Sequence, residues 1–176
     1  GEVAVRCIGL NCPAQVREKI FHFASRGALD IEGLGEKNVE LFYSHGLVHN
    51  FVDLFKLKKG DLLNLPRFAE KSAQNLIDAV EKAKDITLAR FLFALGILQV
   101  GEYASKLLAR NFENLEDLYH MKAERILLIK QMGEKIACSV SDFFNDPENL
   151  HTLKTLQSLG LKIANPDFEG MAKGKR

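Results

Sequence analysis

"IEGLGEK" at residues 31–37 places two glycines around one leucine, directly before a run of charged and apolar residues that is typical of a helix. Three later segments have the same form: apolar, two variable residues, apolar, small, glutamate. They are "LPRFAEK" at 65–71, "ILQVGEY" at 97–103 and "IKQMGEK" at 129–135. Their first residues, counted from residue 31, follow at intervals of 34, 32 and 32 positions. This near-constant spacing predicts a helix, a tight turn and a second helix, repeated four times.

The four units are themselves duplicated as two pairs. A shift of 64 residues aligns 52–73 with 116–137, with 7 identities in 22 positions. Apolar character is also retained at Phe55, Leu62, Leu65 and Phe68, which align with Tyr119, Ile126, Ile129 and Met132. The identical residues of the first copy are Asp53, Leu54, Lys58, Leu63, Glu70, Lys71 and Ala73. The sequence therefore predicts an all-α fold of two pseudo-duplicated pairs.

Hydrophobic periodicity predicts helices along nearly the whole chain. A helix begins at Pro13 and ends before Gly27, and another runs from Glu36 to Ser44 with Gly46 as its C-terminal cap. Further helices are predicted over 69–84, 87–95, 102–112, 134–144 and 147–160, with shorter pieces near 51–56 and 115–120. No segment alternates convincingly as a strand would. Cys138 falls within an apolar helical stretch, so we expect it to be buried.

Composition argues against a membrane or secreted protein and does not identify a binding partner. The 176 residues carry a formal net charge of +1 and are 47% hydrophobic. No apolar run approaches the roughly 20 residues that cross a bilayer, and the first residues lack a signal-peptide pattern. We therefore expect a cytosolic protein without a membrane partner. Because the bulk charge is small, any anion must be bound by local features.

The repeated turn has the features of a phosphate site. Leu34 can anchor the turn in the core, while Gly33 and Gly35 permit positive φ and leave the backbone uncovered. The amides of the first helical turn have no internal partner and lie at the positive end of the helix dipole. An anion can accept several of these N–H groups at once, with Lys37 nearby. Helix capping alone would explain one such turn, but four at near-constant spacing favour a binding role.

The turns resemble helix-hairpin-helix motifs, and we call them hairpins 1 (31–37), 2 (65–71), 3 (97–103) and 4 (129–135). The start "C-x4-C-P-A-Q", with Cys7 and Cys12, leads into them as in bacterial NAD-dependent DNA ligases. From Arg6 to about Phe168 the chain resembles the C-terminal half of that family.

The resemblance implies sequence-independent binding of nicked duplex DNA within an enzyme that seals nicks in replication and repair. It also implies a bacterial cytoplasmic, nucleoid-associated protein. The implied domains are 1–12 as the second half of a four-cysteine zinc finger, 13–27 as a connecting helix, 28–84 and 85–164 as the two hairpin pairs, and 165–176 as a linker towards a BRCT domain.

The hairpins depart from the family pattern to different degrees. Hairpin 1 retains both glycines, whereas Arg67, Gln99 and Gln131 occupy the first small position of the others. Bulky side chains there are expected to shield the amides, so hairpin 1 ranks first as a phosphate binder and hairpin 3 second. Arg67 either contacts phosphate directly or belongs to a hairpin that is now structural. The predicted DNA-binding residues are Gly33, Leu34, Gly35, Lys37, Arg67, Lys71, Gly101, Gly133 and Lys135.

The resemblance also assigns cofactors, most of them to other parts of the parent enzyme. Cys7 and Cys12 would supply half of a zinc site whose other ligands lie upstream, so we expect this chain alone not to hold zinc. No Lys-x-Asp-Gly adenylation signature is present, so no catalytic residue is predicted, and NAD and Mg would bind elsewhere. His22 lacks a fitting ligand spacing and is expected to be half-buried or at the surface.

Two alternatives remain open from the residues. The first is a helix-hairpin-helix module of another DNA-repair protein, against which the "C-P-A-Q" start argues. The second is a helical protein-interaction domain that has kept the fold and lost DNA binding. The small net charge and the replaced glycines favour the second alternative to some extent.

Overall fold

The computed structural model describes Leu10 and residues 15–170, and these form an almost entirely helical chain. The helices are α1 Val16–Ala24, α2 Glu36–Ser44, α3 Lys59–Leu63, α4 Glu70–Lys82, α5 Leu88–Ala94, α6 Glu102–Asn111, α7 Ala123–Ile126, α8 Glu134–Phe144 and α9 Pro147–Ser158. Two 3₁₀ helices, Phe51–Lys56 and Leu115–Leu118, and two short strands, β1 Asp85–Thr87 and β2 Lys162–Ala164, complete the described elements. The predicted all-α class is confirmed.

Each hairpin joins two helices that pack against each other. The four pairs are α1 with α2, α3 with α4, α5 with α6 and α7 with α8. The predicted repeat of helix, turn and helix is therefore confirmed in all four places. The segment interpreted as a connecting helix provides α1, which serves as the first helix of the first unit. Pro13, its predicted start, lies outside the described residues.

The ends of α2 illustrate why the helix boundaries were readable. Gly35 precedes the helix in an extended conformation, and Glu36 places a carboxylate in the first turn, where the dipole favours it. After the helix, Gly46 adopts a φ of +73° and donates to the carbonyl of Tyr43, while Leu47 donates to Phe42. The Leu47 amide thus bonds to a carbonyl five residues earlier, inside the helix. This is the hydrogen-bond pattern of a Schellman motif, which ends a helix.

The 3₁₀ helix Phe51–Lys56 is one of the places where the two halves of the chain meet. It packs against α1, α4 and α9, so it touches elements from both pairs. Phe51 stacks on Phe23 of α1 with ring centroids 4.1 Å apart, and both side chains are fully buried. This aromatic contact fixes α1 against the body that carries hairpins 1 and 2.

The short strands were not predicted. β1 and β2 pair in parallel, with Ile86 opposite Ile163, and the amide of Lys162 donates to the carbonyl of Lys84 at 2.8 Å. Three residues are too few to show an alternating pattern, so only the tertiary structure reveals the pairing. It ties the end of the second pair to the junction between the pairs.

The expected burial of Cys138 is wrong. The residue lies in α8 as predicted, but its side chain is exposed. Ala137 and Val140 face the core, and Cys138 follows Ala137 by one position, which turns it about 100° around the helix axis. His22 agrees with expectation: it is half-buried, with its Nε2 2.7 Å from the carbonyl oxygen of Phe93.

Within the described part of the chain, no helix is long and apolar enough to cross a membrane.

The Phe23–Phe51 contact predicts a large loss of stability on truncation. We expect Phe23→Ala to lower the free energy of unfolding by about 3–5 kcal/mol, because it leaves a cavity in the core. Phe21→Ala is the matched control on the same helix: this side chain is 40% exposed, and its loss should cost less than about 1 kcal/mol. Urea titrations followed by circular dichroism measure both values, and equal losses would contradict this account of the core.

Tyr119 predicts a change of stability at high pH. Burial of the ring, followed by the nearby Glu116 carboxylate, raises the pKa of Tyr119 to about 12, and its buried hydroxyl has no hydrogen-bond partner among the described residues. The unfolded tyrosine ionises near pH 10, whereas the folded one stays neutral, so stability is lost as the pH rises from about 10 to 12.

Tyr119→Phe should remove this part of the pH dependence. At pH 7 it should be neutral or stabilising by about 1 kcal/mol, because an unsatisfied buried hydroxyl is removed. Thermal melts of both proteins between pH 8 and 11 test the claim. A wild-type and a variant curve that fall in parallel would overturn it.

Candidate nucleic-acid interface

All four hairpins form the same backbone turn. In each, the second apolar residue donates its amide to the carbonyl of the first, three positions earlier. The bonds are Leu34 to Ile31 at 3.2 Å, Phe68 to Leu65 at 3.4 Å, Val100 to Ile97 at 2.9 Å and Met132 to Ile129 at 3.1 Å. The residue before each donor has a positive φ: Gly33 at 94°, Arg67 at 74°, Gln99 at 69° and Gln131 at 71°. This combination is a type II turn.

Loss of glycine at the first small position therefore does not change the turn. Arg67, Gln99 and Gln131 adopt the left-handed conformation that glycine adopts in hairpin 1, at a cost of about 1–2 kcal/mol each. The surrounding structure holds them there, because the two apolar residues whose hydrogen bond closes each turn pack against the core. The sequence interpretation expected these replacements to alter the approach to the hairpin, but the backbone geometry is retained in every copy.

The second apolar residue of each hairpin anchors the turn in the protein core. Leu34, Val100 and Met132 are buried, and Phe68 is half-buried against Phe42 with ring centroids 5.6 Å apart. Leu34 was predicted among the DNA-binding residues. Its side chain is only 4% exposed and its amide is used within the turn, so its contribution is to position the glycines.

The small residue that follows each anchor begins a helix from an extended conformation. Gly35, Gly101 and Gly133 precede α2, α6 and α8. Apart from the glycine and its two chain neighbours, no atom lies within 4 Å of the position that a Cβ would occupy at any of them. The space above the first amides is therefore open to solvent at hairpins 1, 3 and 4. Within the described residues, no hydrogen bond occupies the amides of these three glycines.

Hairpin 2 differs because its own side chains occupy the equivalent groups. The amide of Ala69 donates to the hydroxyl of Ser72 at 2.9 Å, and Lys59 pairs with Glu70 at the start of α4. In hairpin 1 the residue equivalent to Ser72 is Asn38, whose side-chain amide donates to the carbonyl of Gly33 at 2.6 Å. Asn38 thus braces the turn and leaves the Gly35 amide available.

Hairpins 1 and 2 face one groove. Its lining includes Gly33, Gly35 and Lys37 from hairpin 1, and Arg67 and Ser72 from hairpin 2. Lys37 and Arg67 form no ion pair within the described residues, so two exposed cations line the same groove as the open amide of Gly35, along with carboxylates such as Glu32 and Glu36. A phosphate group entering this groove could accept from the amides and both side chains.

The remaining predicted residues lie at the other hairpins. Lys71 and Lys135 are each the second residue of their helix, exposed and equivalent to Lys37. Gly101 lines a separate cleft with Lys19 and His22 of α1. Burial lowers the pKa of Lys19, which was not singled out from the sequence. The structure thus brings Gly33, Gly35, Lys37 and Arg67 together and places Gly101, Gly133 and Lys135 elsewhere on the surface.

The sequence interpretation missed the side chains that brace the turns. Ser72 and Asn38 are each the third residue of their helix, where a polar residue commonly caps. That spacing was a usable signal. Tyr103 was also missed: it occupies the position of Lys37, Lys71 and Lys135, and its hydroxyl donates to Oε1 of Gln131 at 2.5 Å.

The predicted metal ligands Cys7 and Cys12 lie outside the described residues. Among residues that are described, no group of three or more histidine, cysteine, aspartate or glutamate side chains could hold a metal ion. Two thiolates do not complete the four-ligand site that structural zinc requires.

Comparison with known proteins identifies the repeated unit. Residues 25–82 match the family described as a SAM-like helix-hairpin-helix tandem, and residues 90–165 match the helix-hairpin-helix motif family. The chain is 58% identical over 169 residues to a DNA ligase of Thermodesulfovibrio yellowstonii, with 96% of this chain covered. The chain belongs to the helix-hairpin-helix part of the DNA ligase family. The two family matches divide it at the junction between the hairpin pairs.

Two further DNA ligases give the same result. That of Geotalea uraniireducens is 46% identical over 100% of this chain, and that of Bacillus subtilis is 44% identical over 99% of it. This helix-hairpin-helix chain spans about a quarter of the length of these relatives, since 25–26% of each is covered. The resemblance drawn from the motifs is confirmed.

The open glycines predict which hairpins bind an anion through their amides. Gly35→Val should fold normally, because Gly35 has a φ of −83° and open space around its Cβ position. Its branched side chain would cover the free amides, so affinity for duplex DNA should fall roughly tenfold, the loss of one strong hydrogen bond to a charged group. Fluorescence anisotropy with a labelled nicked duplex measures the change, and circular dichroism checks folding.

Ala69→Val is the matched control at hairpin 2. It has the same extended conformation, but its amide already donates to Ser72. Affinity should stay within about twofold of the wild type. Equal losses in the two variants would contradict the distinction between open and occupied hairpins.

Proposed function

We propose that this chain binds the backbone of duplex DNA without sequence preference, as part of an NAD-dependent DNA ligase that seals nicks in replication and repair. The observation that carries the proposal is the groove between hairpins 1 and 2. There, open amides at the start of α2 lie beside Lys37 and Arg67, neither of which has an anionic partner within the described residues. The similarity to DNA ligases supports the same role.

The geometry explains why such binding would ignore sequence. Backbone amides and lysine or arginine side chains recognise phosphate oxygens, which are identical at every base pair. Base edges would have to be read by side chains that reach into a groove, whereas the groups proposed here to make contact at hairpins 1, 3 and 4 are backbone amides at Gly35, Gly101 and Gly133. Rigid turns at repeated positions suit a polymer whose phosphates are regularly spaced.

Each hairpin contributes differently in this proposal. Gly33–Gly35 with Lys37 forms the main contact, and Arg67 adds a guanidinium from hairpin 2. Gly101 and Gly133 provide further open amides, with Lys135 beside the latter, while Lys71 adds charge without an open amide. The DNA would thereby be held for an active site on the ligase parts that this chain does not contain, where NAD and Mg would bind.

The zinc assignment is part of the same proposal. Cys7 and Cys12 would supply two thiolates to a four-cysteine site, and two further thiolates would come from the rest of the ligase. Zinc would act there structurally, because a closed four-thiolate shell leaves no position for a substrate. The protein would function in the bacterial cytoplasm, in association with the nucleoid.

Salt dependence tests the phosphate contacts. The logarithm of the binding constant for a nicked duplex should fall linearly with the logarithm of the salt concentration, with a slope of about −0.9 for each phosphate neutralised. Lys37→Ala should weaken binding and reduce this slope by about one, because one contact is lost. Anisotropy titrations from low to moderate NaCl give both numbers.

Lys154→Ala is the matched control. Lys154 is an exposed lysine of α9, outside the four hairpin segments, and its replacement removes the same charge as Lys37→Ala does. It should leave the slope nearly unchanged. Absence of binding at low salt, or binding that salt does not weaken, would overturn the proposal and favour a protein-interaction module.

A further inference from the structure

Hairpin 3 is chemically unlike the other three. From Ile97 to Ser105 it contains no lysine or arginine, whereas the equivalent stretches contain Lys37, the pair Arg67 and Lys71, and the pair Lys130 and Lys135. Its backbone turn is nevertheless the same, and Gly101 leaves the following amides open. Hairpin 3 thus has the backbone shape for phosphate binding but no lysine or arginine of its own, and the lysine in the cleft beside Gly101, Lys19, comes from α1. This difference points to a different kind of contact at hairpin 3 itself.

The residue in the place of the cation is Tyr103. It is the second residue of α6, as Lys37, Lys71 and Lys135 are of their helices, so its side chain leaves the same point of the repeated unit. Its side chain is 59% exposed, the largest exposure of the aromatic residues described as exposed. Leu98, at the tip of the same turn, is 40% exposed. Hairpin 3 therefore presents apolar surface where the others present charge.

Tyr103 is also held in place, which distinguishes it from an incidental surface aromatic. Its hydroxyl donates to Oε1 of Gln131, the residue at positive φ in hairpin 4. The side chain thus links hairpin 3 to hairpin 4, and each of these hairpins has an open glycine, Gly101 or Gly133, before its second helix. A duplex strand lying on both hairpins would pass over this ring.

We infer that Tyr103 packs against the deoxyribose of the strand whose phosphates hairpins 3 and 4 hold. Between consecutive phosphates the outer surface of the strand is sugar, which is largely apolar and carries no charge. An aromatic face supplies contact area at a low cost in conformational entropy. This inference rests on the proposed function and adds to it a non-ionic contact at a residue outside the predicted set.

The two kinds of contact differ in their response to salt. A lysine on phosphate releases counterions, so its removal lowers both the affinity and the salt slope. A tyrosine on deoxyribose releases none. We therefore expect Tyr103→Ala to lower affinity for a nicked duplex roughly tenfold, the lower part of the range for aromatic rings stacked on bases, and to leave the salt slope unchanged.

Two further variants at the same position sharpen the test. Tyr103→Lys restores the residue type of the other hairpins and should steepen the slope by about one phosphate contact. Tyr103→Phe keeps the ring and removes only its bond to Gln131, so affinity should fall less than in the alanine variant. Phe168→Ala is the matched control, because Phe168 is 39% exposed and lies outside the hairpins; it should bind as the wild type does.

The experiment is an anisotropy titration of the full chain against a fluorescein-labelled nicked duplex at four NaCl concentrations, with thermal melts to establish folding. If the wild type binds with the salt dependence expected for phosphate contacts and folded Tyr103→Ala binds equally well, this inference is overturned and the proposed function stands. A loss in Tyr103→Ala accompanied by a shallower slope would also overturn it. Wild-type protein that does not bind would refute the proposed function itself.

Discussion

The hydrogen bond that closes each hairpin is the constraint on which the rest of the structure depends. It joins two apolar residues three positions apart, all of them buried except the half-buried Phe68, and the residue before the donor has a positive φ. Because both ends are fixed in the core, the following helix must begin at a defined place with its first amides outward. The helix pairs, their spacing and the open groove between hairpins 1 and 2 all follow from repeating this one turn.

The fold could be predicted from sequence because its signal is periodic. Four copies of one pattern located every hairpin, and apolar spacing located most helices within two residues. What escaped prediction depends on tertiary neighbours. The exposure of Cys138 is decided by a single step around α8, and β1 and β2 are too short to show a pattern. The positive φ of Arg67 contradicts local preference and requires the surrounding anchors.

The candidate site was predicted in part for a similar reason. Glycines and lysines can be read from the repeat, so Gly35, Lys37 and their equivalents were found. The sequence could not show which amides are already occupied, because this depends on where Ser72 and Asn38 direct their side chains. Tyr103 would have been identified by asking where the four repeats differ, because it stands where the other three repeats have a lysine. The four repeats share one backbone turn. They differ in their free amides and in the side chains that could contact a ligand.

The pairing of β1 with β2 has a mechanical consequence. The chain enters the second pair of hairpins at Asp85 and leaves it at Ala164, and these residues belong to two adjacent parallel strands. A pull along the chain would act on opposite ends of the two strands and load their hydrogen bonds together, in shear. The tension would pass from one strand directly to the other. The helices between them would carry no load until the strands separate.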